Sequence, residues 1–328
     1  MHDFIAIGDI VTDAFIKLKD ASVHCDINNE KCEICMAFAD KIPYESVEEV
    51  SAVGNASNAS VAAAKLGLKS ALVSNLGDDS NGHECLETLR VAGVDTQYVT
   101  VHAGKKSNYH YVLWYENERT ILIKHETYDR KLPDIDSPKW LYFSSLGPDT
   151  EAYHSKIAEY LKSHAEVSLA FQPGTFQLKL GREKLMEIYK RTKIFFCNIE
   201  EGEKILGIDT LGVQELLKRL RELGPEIVVI TEGPKGAYAY DGSKIYHQLP
   251  YPDPRPALER TGAGDAFSAT IVAALALGKD LPESLQWGAI NASSVVQYVG
   301  AQKGLLSRPQ IEEYLKTAPP EFETKVLN

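Results

Sequence analysis

The chain opens on an unbroken apolar run, residues 4–7, that stops at Gly8-Asp9. Such a run predicts a strand buried on both faces and followed by a tight turn. Residues 55–67, NASNASVAAAKLG, carry alanines and Leu66 at helical spacing and end at Gly67, a normal helix stop. The run SALVSNLG predicts the next strand, and residues 80–92 a second helix ending at Gly93. From 97 to 125 the period falls to two. YVTVHA, NYHYVLWYE and RTILIKH alternate apolar and polar residues between turn-like GKKS and ENE, which predicts antiparallel strands of a small separate sheet.

After Lys139 strands and helices alternate: WLYFSSL, helix 151–164, VSLAFQP, helix 182–191, IFFCN, helices near 200–206 and 211–222, then IVVIT. That order predicts parallel strands with helices on both faces. Residues 236–249 read as a hairpin about Asp241-Gly242, and helices 266–277 and 282–298 follow. The tail, 319–328, has little periodicity and is expected to fray. A length of 328 residues suits one large α/β domain, here 1–318, better than several small ones.

Composition narrows the partners. With 46 acidic against 35 basic residues and a formal charge of −11, the chain has no basic run interleaved with aromatics that would collect nucleic-acid phosphates. It lacks a signal-peptide pattern and any stretch near the ~18 apolar residues of a membrane span. A cytoplasmic protein is expected, and five scattered cysteines fit a reducing compartment better than a disulfide framework. Three of them lie with a histidine in HCDINNEKCEIC: His24, Cys25, Cys32 and Cys35. These could close a tetrahedral zinc site, although buried or incidental thiols are the commoner outcome.

The richest segment is Arg260–Thr261–Gly262–Ala263–Gly264–Asp265, placed just before an apolar helix. Two glycines let the backbone turn tightly and expose successive amides, and the helix dipole adds positive character there. That is an anion hole, and Asp265 stands where a carboxylate could take a proton from an attacking hydroxyl. Alone, such a turn is more often a capped helix start.

Other polar turns follow strands in the same way. Gly54 and Asn55 open the alanine-rich helix; Gly54 permits close backbone approach, and Asn58 offers both a donor and an acceptor to a hydroxyl. Asp13, beyond the first strand, could hold two hydroxyls of a sugar. Asn198-Ile199-Glu200-Glu201 follows IFFCN, where a carboxylate could act on phosphate-bound magnesium through water, though these acids also suit a first helical turn. Thr231, Gly233, Lys235 and Gly236 end IVVIT with groups suited to a nucleotide's ribose and phosphates. Their spacing is not that of a Walker loop, and GDIVTD lacks the Gly-x-Gly-x-x-Gly turn of a dinucleotide oxidoreductase.

In their order, GDIVTD, VGNASNASVAAAKLG, LGDDSNG, AGVDT, NIEE, TEGPKG and RTGAGDAF resemble the ribokinase-like, pfkB-type carbohydrate kinase family over nearly the whole chain. The resemblance implies a three-layer α/β/α sandwich around a largely parallel sheet, with a small β-sheet lid drawn from about 10–20 and 96–125. It implies Asp265 as the base, the amides of Gly262, Ala263 and Gly264 as the anion hole, and sugar contacts at Asp13, Gly54, Asn55 and Asn58. It further implies nucleotide contacts at Asn198, Thr231, Gly233, Lys235, Gly236 and Asn291, with Mg²⁺ near Glu201 and ATP as co-substrate. A homodimer through the lid is also implied.

The chain departs from the family at several points. Val53-Gly54 replaces the usual glycine pair, and Asn55 stands where ribokinases carry lysine. Glu259 replaces the usual aspartate six residues before the base, so monovalent-cation activation is not expected. The connection from His24 to Met36 is longer than usual and has no assigned role. A sugar is the first expected acceptor, and a nucleoside the alternative, with VVQYVGAQKG and Tyr109, Tyr111 and Trp114 as candidate base contacts. A regulator that binds nucleotide without catalysis is disfavoured by the intact Asp265.

Overall fold

The structure is a computed structural model describing residues 1–26, 32–116, 118–208, 210–252 and 257–327. The strand Phe4–Ile7 shows how the layers arise: Phe4 and Ala6 enter one apolar core, Ile5 and Ile7 the other. Because both faces are covered, no polar alternation survives in its sequence. On one side it pairs in parallel with Ser70–Gly77, which in turn pairs with Val99–His102. On the other side follow Trp140–Phe143, Ser168–Phe171, Thr192–Asn198 and Ile227–Thr231, all parallel. Antiparallel strands Ala237–Tyr240, Ile245–Gln248 and Lys325–Leu327 complete that edge.

Helices Asn55–Lys65, Ser80–Val91, Ala263–Ala276 and Leu281–Val295 pack on the first face, and Glu151–Ser163, Met186–Arg191 and Val213–Arg221 on the second. The expected α/β/α sandwich is therefore present. The chain order of the sheet reverses at Phe4–Ile7, with Ser70–Gly77 and Trp140–Phe143 on its two sides. A crevice opens at the carboxyl ends of the strands at such a point, and Asp9 lies in it.

A second sheet, in the order Tyr44–Val53, Val11–Leu18, Tyr109–Tyr115 and Glu118–Leu122, covers the crevice. Two expectations are corrected here. The alternation of YVTVHA predicts a strand of this small sheet, but Val99–His102 extends the main one; alternation is the same in either sheet, and only pairing decides. Strand Tyr44–Val53 was not foreseen because its first six residues are exposed and largely polar.

The tail is also not frayed. Phe322 is buried, and Lys325–Leu327 pairs with Ile245–Gln248. The zinc reading fails as well: Cys25 and Cys32 form a disulfide in the hairpin Ser22–Cys25 and Cys32–Cys35, Cys35 is free, and His24 Nε2 faces Ser22 Oγ at 3.2 Å. Among the described residues no group of three or more His, Cys, Asp or Glu could hold a metal. No described helix is long and apolar enough to cross a membrane.

Candidate active site

Asp265 stands in the first turn of helix Ala263–Ala276, whose N-cap Gly262 takes the left-handed conformation at φ 77°. Side-chain amides surround its carboxylate. Asn55 Nδ2 donates to Oδ1 at 2.9 Å, Asn58 Nδ2 to Oδ2 at 2.8 Å, and Gln172 Nε2 to Oδ1 at 3.2 Å. Tyr142 Oη donates to Gln172 Oε1 and thereby turns the Gln172 NH₂ toward Asp265. A carboxylate has about four acceptor positions, so Oδ2, with one donor, keeps room for a hydroxyl. Burial raises the Asp265 pKa above the ordinary carboxylate value, and the three amides and the charge of Arg119 offset this only in part. A base with a raised pKa pulls a proton more strongly, which is the direction general-base catalysis favours.

On one side of Asp265 lies a cavity of about 210 Å³ roofed by the second sheet. Asp13, Gly54, Asn55 and Asn58 all line it. Asp13 faces His110 Nδ1 at 3.4 Å across the strand pair Val11–Leu18 and Tyr109–Tyr115. The two asparagines turn their donors to Asp265, so they orient its carboxylate as well as line the cavity. Asn58 Oδ1 accepts from Gln302 Nε2 at 3.0 Å, which fixes its amide orientation. A Cβ on Gly54 would stand 2.6 Å from the Asp9 carbonyl oxygen, so glycine is needed for two chain segments to touch.

Beneath the cavity, Asp9 holds an ion pair with Arg130 Nη1 at 2.5 Å, faces His125 Nδ1 at 3.3 Å and accepts from the Gly147 N–H at 2.7 Å. Burial pushes its pKa up, but His125 and Arg130 overcome that and hold it below the ordinary value. Arg130→Met should therefore leave a buried, poorly compensated carboxylate and lower the unfolding free energy in urea by about 3–5 kcal/mol at neutral pH. Asp9's stabilisation is present above its unfolded pKa and is lost as pH falls through the folded one. The gap between variant and wild type should narrow in acid; a gap that stays constant would contradict this account.

On the other side of Asp265 a cleft of about 190 Å³ is lined by Thr231, Gly233, Gly236, Ala263 and Gly264. The helix N-terminus thus separates two cavities, with Asp265 lining the first and Ala263 and Gly264 the second. Three expected nucleotide contacts sit elsewhere. Lys235 is exposed and paired with Glu232 at 2.6 Å. Asn291 is fully buried, donating to Thr270 Oγ1 and accepting from the Leu306 N–H, so it braces the two helices behind the cleft. Asn198 and Glu201 form a reciprocal cap on helix Ile199–Leu206. Burial raises the Glu201 pKa, and the negative charges of Asp265 and Glu200 raise it further. The Asn198 N–H and the charge of Lys204 act in the opposite sense; with three carboxylates against one lysine, this corner suits a cation arriving with a nucleotide's phosphates.

Tyr109, Tyr111 and Trp114 do not line the first cavity. Tyr109 donates to Glu49 and meets Tyr111 edge to face, and Trp114 lies under Lys17, all outside the cavity lining. The cavity's aromatic wall is instead His125 against Phe176, with ring centres 5.2 Å apart at 90°. Gln172, His110, His125 and Arg130 were not singled out from the sequence, because no local spacing marks them. Gln302 lies in VVQYVGAQKG, where it donates to Asn58.

The model of the pfkB family carbohydrate kinases matches residues 17–308. A cytidine kinase of Thermococcus kodakarensis is 30% identical over 258 residues, covering 76% of this chain and 87% of that protein. A ribokinase of Bacillus subtilis is 28% identical over 271 residues, covering 80% and 87%. The structure of Arabidopsis thaliana ribokinase complexed with ribose and ATP superposes with a TM-score of 0.79 at 20% identity, covering 96% of this chain and 99% of that one. The chain belongs to the pfkB family of carbohydrate kinases and is a phosphotransferase with a hydroxyl acceptor, of the sugar and nucleoside kinase class.

Proposed function

We propose that the chain transfers the γ-phosphoryl group of ATP to a primary hydroxyl of a small sugar, with Asp265 as general base. The observation that carries this reading is the placement of Asp265, ringed by three amide donors, between two cavities that share one helix N-terminus. The acceptor hydroxyl gives its proton to Asp265, its oxygen bonds to the γ-phosphorus, and the bond to the ADP oxygen breaks. The amides of Gly262, Ala263 and Gly264 offset charge on the migrating group, as preorganised donors do in phosphoryl transfer. Asp13 and His110 bind and orient the acceptor, while the second sheet excludes water. Mg²⁺ bound to the phosphates would neutralise part of their charge, with Glu201 as its holder through water.

A nucleoside acceptor is the second reading, favoured by the apolar and aromatic lining of His125, Phe176, Ile121 and Ile123. Release of ADP should be measured with ATP, Mg²⁺ and a panel of pentoses, hexoses and nucleosides. Turnover on one class is expected, and the ratio of kcat/KM between classes assigns the acceptor. No ADP above background with any acceptor would sink the kinase reading.

A further inference from the structure

Two ion pairs of opposite polarity join the second sheet to the catalytic turn. From strand Glu118–Leu122, Arg119 Nη1 meets Glu259 Oε1 at 2.7 Å, and the neighbouring Glu118 Oε1 stands 3.8 Å from Arg260 Nη1. The outer pair is exposed on both sides and screened by solvent, so it contributes little. The inner pair is different. Glu259 is only 5% exposed, its Oε2 is buried without a hydrogen-bond partner, and among the described residues Arg119 is its one ion-pair partner. A buried carboxylate that loses its cation is strongly unfavourable.

Glu259 also reaches the turn itself. Its Oε1 accepts the Thr261 N–H at 2.6 Å and the Thr261 hydroxyl. Thr261 precedes Gly262, where the chain swings through the left-handed region into the helix. Glu259 thus sets the direction of this turn, and Arg119 holds Glu259.

We propose that Arg119 is a positioning residue for the phosphoryl transfer: with the second sheet closed, its guanidinium compensates buried Glu259 and holds the Thr261–Gly262 turn in the geometry that presents the amides of Ala263 and Gly264. When the sheet lifts, Glu259 loses its cation and the turn relaxes. The anion hole is then complete only while an acceptor is enclosed, which withholds transfer from water. This rests on the kinase reading above.

The test is a double-mutant cycle. Arg119→Ala should lower kcat by about 10- to 100-fold while KM for ATP and acceptor moves less than about threefold, because the lost element is geometry at the reacting centre. Arg119→Lys should be intermediate, and millimolar methylguanidinium should restore part of the Arg119→Ala rate. In a Glu259→Gln background, where the acceptor for Thr261 remains but the charge does not, Arg119→Ala should change kcat by less than about twofold. Wild-type turnover by Arg119→Ala, or an equal loss in both backgrounds, overturns the proposal. Melting temperatures give the same cycle without turnover: Arg119→Ala should melt roughly 5 °C below wild type, and the difference should vanish on Glu259→Gln. An enzyme inactive on every acceptor refutes the kinase reading, while the melting cycle still decides the clasp.

Discussion

Asp265→Asn is expected to lower turnover by on the order of 10²–10⁴-fold, the usual contribution of a positioned general base. An amide cannot take the hydroxyl proton, and its NH₂ would also confront the donors of Asn55, Asn58 and Gln172. Nucleotide binding should persist, because Thr231, Gly233 and Gly236 lie in the cleft on the far side of the helix terminus. Calorimetric titration with a non-hydrolysable ATP analogue, beside ADP release, separates these effects. The pH profile adds a second check. Because burial raises the Asp265 pKa, the acid limb of kcat/KM should lie above the ordinary carboxylate value of 3.8 and disappear in the variant. Undiminished turnover, or a limb at the ordinary value, would remove Asp265 from the base role.

The glycines of the proposed anion hole should respond in opposite ways. Gly262 sits at φ 77°, and a Cβ there would lie 2.2 Å from the Ala301 Cβ. Gly262→Ala therefore meets a backbone penalty of roughly 1–2 kcal/mol and must displace either Ala301 or the turn. Loss of the amide geometry should lower kcat by about 10²–10³-fold, the effect of removing an oxyanion-hole donor. Gly264 has nothing within 4 Å of its would-be Cβ and stands inside the helix, where alanine is about 1 kcal/mol better than glycine. Gly264→Ala should thus fold at least as stably as wild type, yet raise KM for ATP, because its methyl group enters the cleft. Urea midpoints and steady-state constants for both variants check this. Should Gly264→Ala keep the wild-type KM for ATP, the cleft beside it is not the phosphate site.

Much of the scaffold was legible because its signals are local. The period-two and helical patterns reflect which face of an element is covered, and the turns at strand ends declare themselves by glycine and polar residues within a few positions. The same locality misled where partners decide. Val99–His102 alternates as a strand of either sheet would, and the tail is ordered only because Ile245–Gln248 offers an open edge. The Asn198–Glu201 spacing fits both a cation site and a helix cap, and the cap is visible in its hydrogen bonds.

By itself the sequence determined the sandwich class, the position of Asp265 at a helix start and its company of polar turns at strand ends, since each depends on neighbours along the chain. Only the tertiary structure decided what surrounds that carboxylate. Asn55, Asn58 and Gln172 come to it from 210, 207 and 93 residues away, and Arg119 meets Glu259 across 140. No periodicity encodes such distances: the sheet brings the strand ends together, and burial then makes every unpaired charge among them find a partner.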